Sequence, residues 1–546
     1  MISKKRNIIN GALVGLLITV PLTSILYLAY EFVELPFVPF DLFDWMTMVL
    51  PGSIVTFGID LMIDLFRFFE INVANSAKNA EQLIAILQFI LLCVLICAFF
   101  FGILRRRTGK SGVAPGIAAG IFIGLLFITI SIAIGQSPVS PLLQILWLLM
   151  MFTLWGLALN KSYSYIASFE NNNLVQQDYE FKSAPIKRRK FLWLIGGISI
   201  GITVLSTFVG RILAGNKHDL LEFELGGSEM HSTDTGNGMP FPNLNDPVMP
   251  APGTRPEYTP IKNHYKVFIR TKPTVIDGSS WTLNINGMVN NPLRLTLDDI
   301  KNNYEKSSHY VTLSCISGKI GTSLISTTLW TGASLQQILA DADVSKEARY
   351  LHIMSGDGYY ETVDLQSIYD DERIILCYAW DGRDLPVGHG YPLRIWIPDR
   401  YGMKQPKWIT DIEISDKYKK GYWVERGWDE KAIVKTTSVI DTVSINSIFN
   451  DGDQKLVSVG GIAFAGARGI SKVEVRVDKG IWKKAKLRAP LSETTWVIWR
   501  YDWPYEKGEH IFEVRCAELD GTPQIETIQS NHPSGATGIH SYKITV

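Results

Sequence analysis

Hydrophobic and polar positions divide the chain into two parts with different periods. Five stretches are apolar for long enough to cross a hydrocarbon layer as helices: Ile8 to Tyr30, Leu83 to Leu104, Val113 to Gly135, Leu142 to Leu159 and Phe191 to Leu213. A span needs about 20 mostly apolar residues whose backbone groups pair within the helix. A sixth stretch, Leu42 to Phe69, carries Asp44, Asp60, Asp64 and Arg67 around Pro51-Gly52, so it reads as re-entrant or interfacial. From Gly215 to Pro260 periodicity gives way to Gly, Pro, Asn and Asp, the composition of a linker or an extended wrap. Short alternating runs begin at Tyr265, among them Trp281 to Gly287, Arg349 to Met354 and Leu393 to Pro398. Helical spacing is confined there to Leu297 to Tyr304, Ser334 to Ala342 and Leu365 to Tyr369, which makes a mixed α+β domain dominated by strands. After Ile440 the runs alternate throughout, as in Lys472 to Val477, Trp496 to Arg500 and His510 to Cys516, and predict a β-sandwich.

Charge sharpens this division. The 546-residue chain balances 53 Lys and Arg against 53 Asp and Glu, yet residues 1–213 hold 16 against 11 and the remainder 37 against 42. Neutrality is a basic membrane part cancelling an acidic outer part. A nucleic-acid binder needs a basic surplus that this chain lacks, and its apolar content excludes disorder. Its five cysteines are too few for a disulfide scaffold. Loops rich in Lys and Arg stay cytoplasmic. With five spans, Lys4-Lys5-Arg6, Arg105-Arg106-Arg107 with Lys110, and Lys187 to Lys190 all lie inside, whereas six would put the first cluster on the wrong side. The expectation is a multi-pass protein of the cell membrane with a cytoplasmic N-terminus and everything after Leu213 extracytoplasmic. Residues 1–30 then read as an anchor rather than a cleaved signal peptide. Residues 1–213 contain no His, so no transmembrane haem is expected, and Cys93 with Cys97 read as small core residues. The run Lys187-Arg188-Arg189-Lys190-Phe191-Leu192 resembles the twin-arginine export motif, with Lys187 where Ser or Thr is usual; a positive-inside anchor is the simpler reading of it alone.

Two constellations carry chemistry. In the first, Thr312-Leu313-Ser314-Cys315 closes a strand and opens into a Gly/Ser loop, followed by Leu329-Trp330-Thr331-Gly332. A thiolate on such a loop suits a soft metal whose cofactor approaches the backbone closely, although a lone Cys is more often a small buried residue. In the second, His389, Arg394, Lys404 and Lys407 fall within the turn-rich stretch Leu385 to Trp408. Cations fixed by Gly and Pro turns suit a phosphate; solvated surface charges are the equal alternative.

Together these residues resemble the sulfite oxidase family of molybdopterin enzymes. The resemblance runs from about Asn263 to the C-terminus. It takes in the Cys315 loop with Trp330-Thr331-Gly332, Gly356-Asp357-Gly358-Tyr359, His389-Gly390-Tyr391-Pro392 with Arg394, Lys404 to Trp408, and Gly421-Tyr422-Trp423. It implies an α-helical membrane domain (1–213), a linker (214–262), a mixed α+β sulfite-oxidase-like molybdopterin domain (263–440) and an immunoglobulin-like β-sandwich (441–546) that forms a homodimer interface in this family. It also implies molybdenum–molybdopterin as cofactor, with Cys315 as the metal ligand. His389, Arg394, Lys404 and Lys407 match positions around the pterin phosphate, and Asn263, His264 and Asp357 fall near further cofactor contacts. Arg270 and Trp428 join Cys315 as catalytic candidates. With no haem expected in the chain, electrons would pass to a separate carrier or a quinone-linked subunit.

Two departures bear on the substrate. Sulfite oxidases place paired arginines just after the ligand Cys, where this chain has Ser317-Gly318-Lys319, and an active-site Tyr where it has Trp428. An indole donates one hydrogen bond and cannot act as a phenolic acid, which argues against sulfite. The expected function is oxygen-atom transfer to or from a small S- or N-oxide type substrate by a membrane-anchored extracytoplasmic oxidoreductase. In that reading Arg188-Arg189 gains weight as an export signal, because a domain loaded with pterin in the cytoplasm must cross folded. The alternatives are a non-catalytic scaffold or receptor-like ectodomain that keeps the fold, and a repair enzyme like the protein-methionine-sulfoxide reductases.

Overall fold

The computed structural model describes residues 2–52, parts of 54–65, 73–104, 112–135, 137–175, parts of 193–209, and 240–546. The chain forms two compact units, Met1–Leu50 with Asn79–Phe223, and Pro51–Lys78 with Glu224–Val546.

The first unit is helical. Four helices are long and apolar enough to cross a membrane: Asn7–Val33, Lys78–Leu104, Ala114–Ile134 and Pro141–Ile166. They coincide with four of the expected spans. Of the fifth, Phe191 to Leu213, both ends lie outside the described residues, and a short apolar helix stands at Gly196–Ser206. Arg105 to Lys110, Lys187 to Lys190 with the twin-arginine-like run, and Asp60, Asp64 and Arg67 also lie outside them. The stretch beginning at Leu42 contributes a separate short helix, Val38–Val49. Small residues set the packing, as expected where lipid offers no hydrophobic drive between helices. Gly116 and Gly120 meet Gly156 so closely that a Cβ on Gly156 would stand 2.2 Å from the Gly116 carbonyl oxygen and 2.8 Å from the Gly120 Cα. Pro21 lacks the N–H that would bond the Leu17 carbonyl, and the Ser199 hydroxyl donates to that oxygen instead. The buried Asp41 carboxylate accepts from Ser131 Oγ at 2.6 Å.

The second unit contains two mixed layers and a sandwich. One five-stranded sheet runs Leu293–Thr296, Thr282–Gly287, Ile409–Ser415, Tyr350–Ser355, Tyr360–Asp364, with Thr282–Gly287 and Ile409–Ser415 parallel and the other pairs antiparallel. Another runs Lys306–Ser314, Ile325–Ser334, Ile375–Trp380, Arg383–Asp384, and Arg394–Trp396 also pairs with Ile375–Trp380. One core joins Leu283, Ile353 and Ile412 of the first sheet to Leu376 and Ile395 of the second. Three short helices seal it, Leu297–Asn303, Leu335–Asp341 and Leu365–Asp370, each opened by a capping side chain from Thr296, Ser334 or Asp364. Beyond Thr437 two antiparallel four-strand paths pack on a shared core in which Val457 and Val459 of one sheet meet Val473, Val475 and Phe512 of the other.

Residues 240–262, within the expected linker or wrap, lie against the sheets. Tyr258 and Phe241 are buried with Leu329 and Leu491, and Thr259 and Thr327 exchange hydrogen bonds.

Candidate active site

The site is built where strands end. The strand Lys306–Ser314 delivers Cys315 to a turn, where the Cys315 N–H donates to Leu324 O and the Gly318 N–H to Cys315 O, both at 3.0 Å. The half-buried Cys315 is thus carried on a hydrogen-bonded loop, with Sγ 3.1 Å from Ser317 Oγ. Burial pushes the thiol pKa up, and the Ser317 hydroxyl acts against this.

Two short 3₁₀ turns supply buried histidines. His264 follows Ile261–Asn263 and His389 closes Val387–His389, and their ring centroids stand 4.9 Å apart. The Trp380 indole meets both rings nearly edge-on, at 4.8 and 4.7 Å. Its Nε1 donates to Tyr258 Oη at 3.2 Å, and the Tyr258 hydroxyl donates in turn to Asp381. Arg394 Nη1 donates to His389 O at 3.0 Å, and its guanidinium lies 4.2 Å from the Trp330 ring centre. Gly390, at φ +115°, permits this closure: a Cβ there would stand 3.1 Å from Lys407 Cβ and 3.2 Å from Arg394 Cβ. Lys407 Nζ donates to Val267 O at 2.8 Å, and Arg270 Nε to Asp357 O at 2.7 Å.

Burial dominates the electrostatics. It lowers the His264 pKa to about 3 and that of His389 well below the usual imidazole value, so both rings are neutral at ordinary pH. It brings Arg394 down to about 10, and together with the neighbouring Arg394 charge it holds Lys407 well below the usual ammonium range. Asp357 is raised by burial, against which Lys407 and Arg270 act. Among the described residues His264 Nε2, His389 Nε2 and Arg394 Nε are buried without hydrogen-bond partners. Leaving such atoms unpaired costs about 1–3 kcal/mol each. Cations held at a desolvation cost beside orphaned ring nitrogens fit an anionic, polar-edged group such as a pterin phosphate.

The remaining candidates separate from this cluster. Lys404 Nζ is committed to Glu361 Oε1 at 2.7 Å and Thr362 O at 2.6 Å. Asn263 is exposed on the turn that delivers His264. Trp428 is buried in an apolar cluster with Ile316, its ring 5.1 Å from that of His532 and its Nε1 without a partner among the described residues. Sequence reasoning missed the Tyr258–Trp380–Asp381 support and the Asn531–His532 turn, whose Asn531 Nδ2 donates to Ser317 O at 2.7 Å. No local pattern marks either group, because each acts on the site from a distant segment.

Residues 270–423 match the oxidoreductase molybdopterin binding domain family. The chain is 25% identical over 337 residues to an NADPH nitrate reductase of Fusarium oxysporum, covering 49% of this chain and 37% of that one. It is 25% identical over 271 residues to the mitochondrial sulfite oxidase of Macaca fascicularis, covering 42% and 50%. It therefore spans half or less of the length of these relatives. The solved sulfane dehydrogenase SoxCD of Paracoccus pantotrophus superposes with a TM-score of 0.44 at 19% identity, covering 50% of this chain and 78% of that one. The chain carries a molybdopterin-binding oxidoreductase domain. That domain is of the sulfite oxidase and nitrate reductase type, and its cofactor is molybdenum–molybdopterin.

Proposed function

We propose that the protein is a membrane-anchored oxidoreductase that transfers an oxygen atom to or from a small S- or N-oxide type substrate, with its catalytic unit outside the cytoplasm. The observation that carries this reading is the convergence of the buried His264, His389 and Arg394 with the half-buried Lys407, largely without counter-charge, in the domain that displays Cys315 on a braced loop. In this reading Cys315 gives its thiolate to the metal, and the two histidines with Arg394 and Lys407 hold the pterin and its phosphate. Bound there, the cofactor supplies two-electron chemistry in which an oxygen atom moves to or from the substrate.

The chain's own residues then narrow the substrate. Ser317-Gly318-Lys319 offers the thiol loop less positive charge than paired arginines would, and Trp428 presents one N–H donor with no proton to release. A neutral, polar S–O or N–O group suits that environment better than a sulfite dianion. The extracytoplasmic placement is supported by the distribution of basic clusters and by the twin-arginine-like run before Phe191. The C-terminal sandwich is assigned to homodimer contact and a separate carrier to electron transfer, both by resemblance.

Purified full-length protein in detergent, assayed with sulfite, S-oxides and N-oxides against artificial donors and acceptors, tests the proposal. Turnover on an S- or N-oxide is expected, and Cys315→Ser is expected to abolish it. A molybdenum content near zero in a host that makes the pterin would leave a scaffold as the only reading.

A further inference from the structure

Pro51–Lys78 belongs to the unit that holds the cofactor residues, although it precedes the matched domain by nearly the whole helical unit. It has two footholds there. A Cβ on Gly52 would stand 2.6 Å from the Arg426 carbonyl oxygen, so its backbone lies directly on the turn before Trp428. At the other end Lys78, inside the helix Val73–Leu104 and at the head of its apolar span Lys78–Leu104, donates from Nζ to Phe268 O at 2.8 Å and to Arg270 O at 2.9 Å.

Those carbonyls lie in a stretch that no strand holds. Tyr265 to Arg270 joins no sheet, so its backbone groups must find partners elsewhere. Lys407 takes the Val267 carbonyl and Lys78 takes those of Phe268 and Arg270. Both ammonium groups lie over one ring, Lys78 at 4.4 Å and Lys407 at 5.0 Å from the centre of Phe268. Two like charges gathered on one ring attract an anion placed within reach of both.

We propose that Lys78 is a positioning residue for the molybdopterin cofactor: it clamps the Phe268 and Arg270 carbonyls and so holds the stretch bearing His264 and Arg270 in place against the cofactor. This rests on the molybdopterin chemistry of the domain and not on the choice of substrate. Lys78 acts through the backbone and touches no reacting atom. The matched family model spans residues 270–423, and Lys78 lies outside it.

The test uses the full-length chain in detergent, comparing wild type, Lys78→Met and Lys78→Arg. Molybdenum per chain and the rate of pterin release, followed by fluorescence of the oxidised pterin, are the readouts. Lys78→Met is expected to lower molybdenum content several-fold and to speed release by a similar factor, whereas Lys78→Arg, which keeps a two-carbonyl donor, holds near wild type. A second arm needs no variant: amine-reactive labelling of Lys78, read by mass spectrometry, is expected to be several-fold slower in loaded wild-type chain than in chain from a pterin-deficient host. Wild-type molybdenum content and release in Lys78→Met, or equal labelling of Lys78 with and without cofactor, would overturn the inference. If Lys78→Met does not accumulate as folded protein, the labelling arm decides. Wild-type chain devoid of molybdenum would instead overturn the cofactor assignment itself, and this inference with it.

Discussion

Lys404 and Lys407 stand three residues apart in one turn-rich stretch, the first buried and the second half-buried, and the structure gives them opposite circumstances. Lys404 faces Glu361, whose side chain is fully buried, at 2.7 Å. Its charge is matched, and Tyr359 adds a hydrogen bond to Glu361 Oε2. Lys407 instead faces carbonyl oxygens, two aromatic rings and the Arg394 guanidinium, with Asp357 the carboxylate that favours its charge. A buried cation with a partnered carboxylate belongs to the architecture, whereas one without such a match waits for an anion from outside. Place in a motif cannot tell a structural lysine from a binding one; the counter-charge can.

That contrast can be broken by experiment. Lys404→Met strands Glu361 in the interior, and removing one member of a buried pair costs about 3–5 kcal/mol. The largest fall in thermal stability is therefore expected here, in loaded and cofactor-free chain alike. Adding Glu361→Leu is expected to restore most of the loss, which a thermal melt of the double variant checks. Lys407→Met is expected to do the reverse: cofactor-free stability unchanged or raised, and molybdenum per chain, read by elemental analysis, lowered about tenfold. Equal destabilisation by the two Met variants would erase the distinction drawn here.

The smallest effect is on pH dependence. His264 titrates near 3 in the folded chain against an ordinary 6.5. Between those values the unfolded chain takes up a proton that the folded chain refuses, so stability rises with pH across the window and is lost as pH falls through it. His389, lowered in the same direction, adds to that slope. Denaturant melts of cofactor-free chain between pH 4 and pH 7 are expected to show it, and His264→Phe is expected to flatten it.

Much of the fold was legible because local signals agreed with tertiary structure. Thr296 followed by Asp299 caps the helix at Leu297, and the apolar Leu297 and Ile300 point into the core as their spacing requires. Val473 and Val475 alternate inward in the sandwich. The site was half legible. His389, Arg394 and Lys407 sit together, and Cys315 stands on the turn its glycine and serines suggested. Lys404 carried the same charge in the same motif, and only the distant Glu361 reveals its different role. Lys78 was hidden more thoroughly, as the leading charge of an apolar helix, where a lysine looks like an ordinary interfacial anchor.

Tyr258 sets the limits within which this catalytic body can be moved as a part. A fragment begun at Asn263, where the family resemblance puts the start of the domain, would leave the Trp380 indole and the Asp381 carboxyl without the phenol that joins them. It would also uncover Leu329 and Leu491, which Phe241 and Tyr258 now shield. A buried polar atom left unpaired costs about 1–3 kcal/mol, and here the indole that wedges the two histidines is one of them. A transplantable version of this body therefore starts before Phe241, and fusions or homologous exchanges cut nearer the thiol loop should yield a chain that folds its sheets and holds its imidazoles loosely.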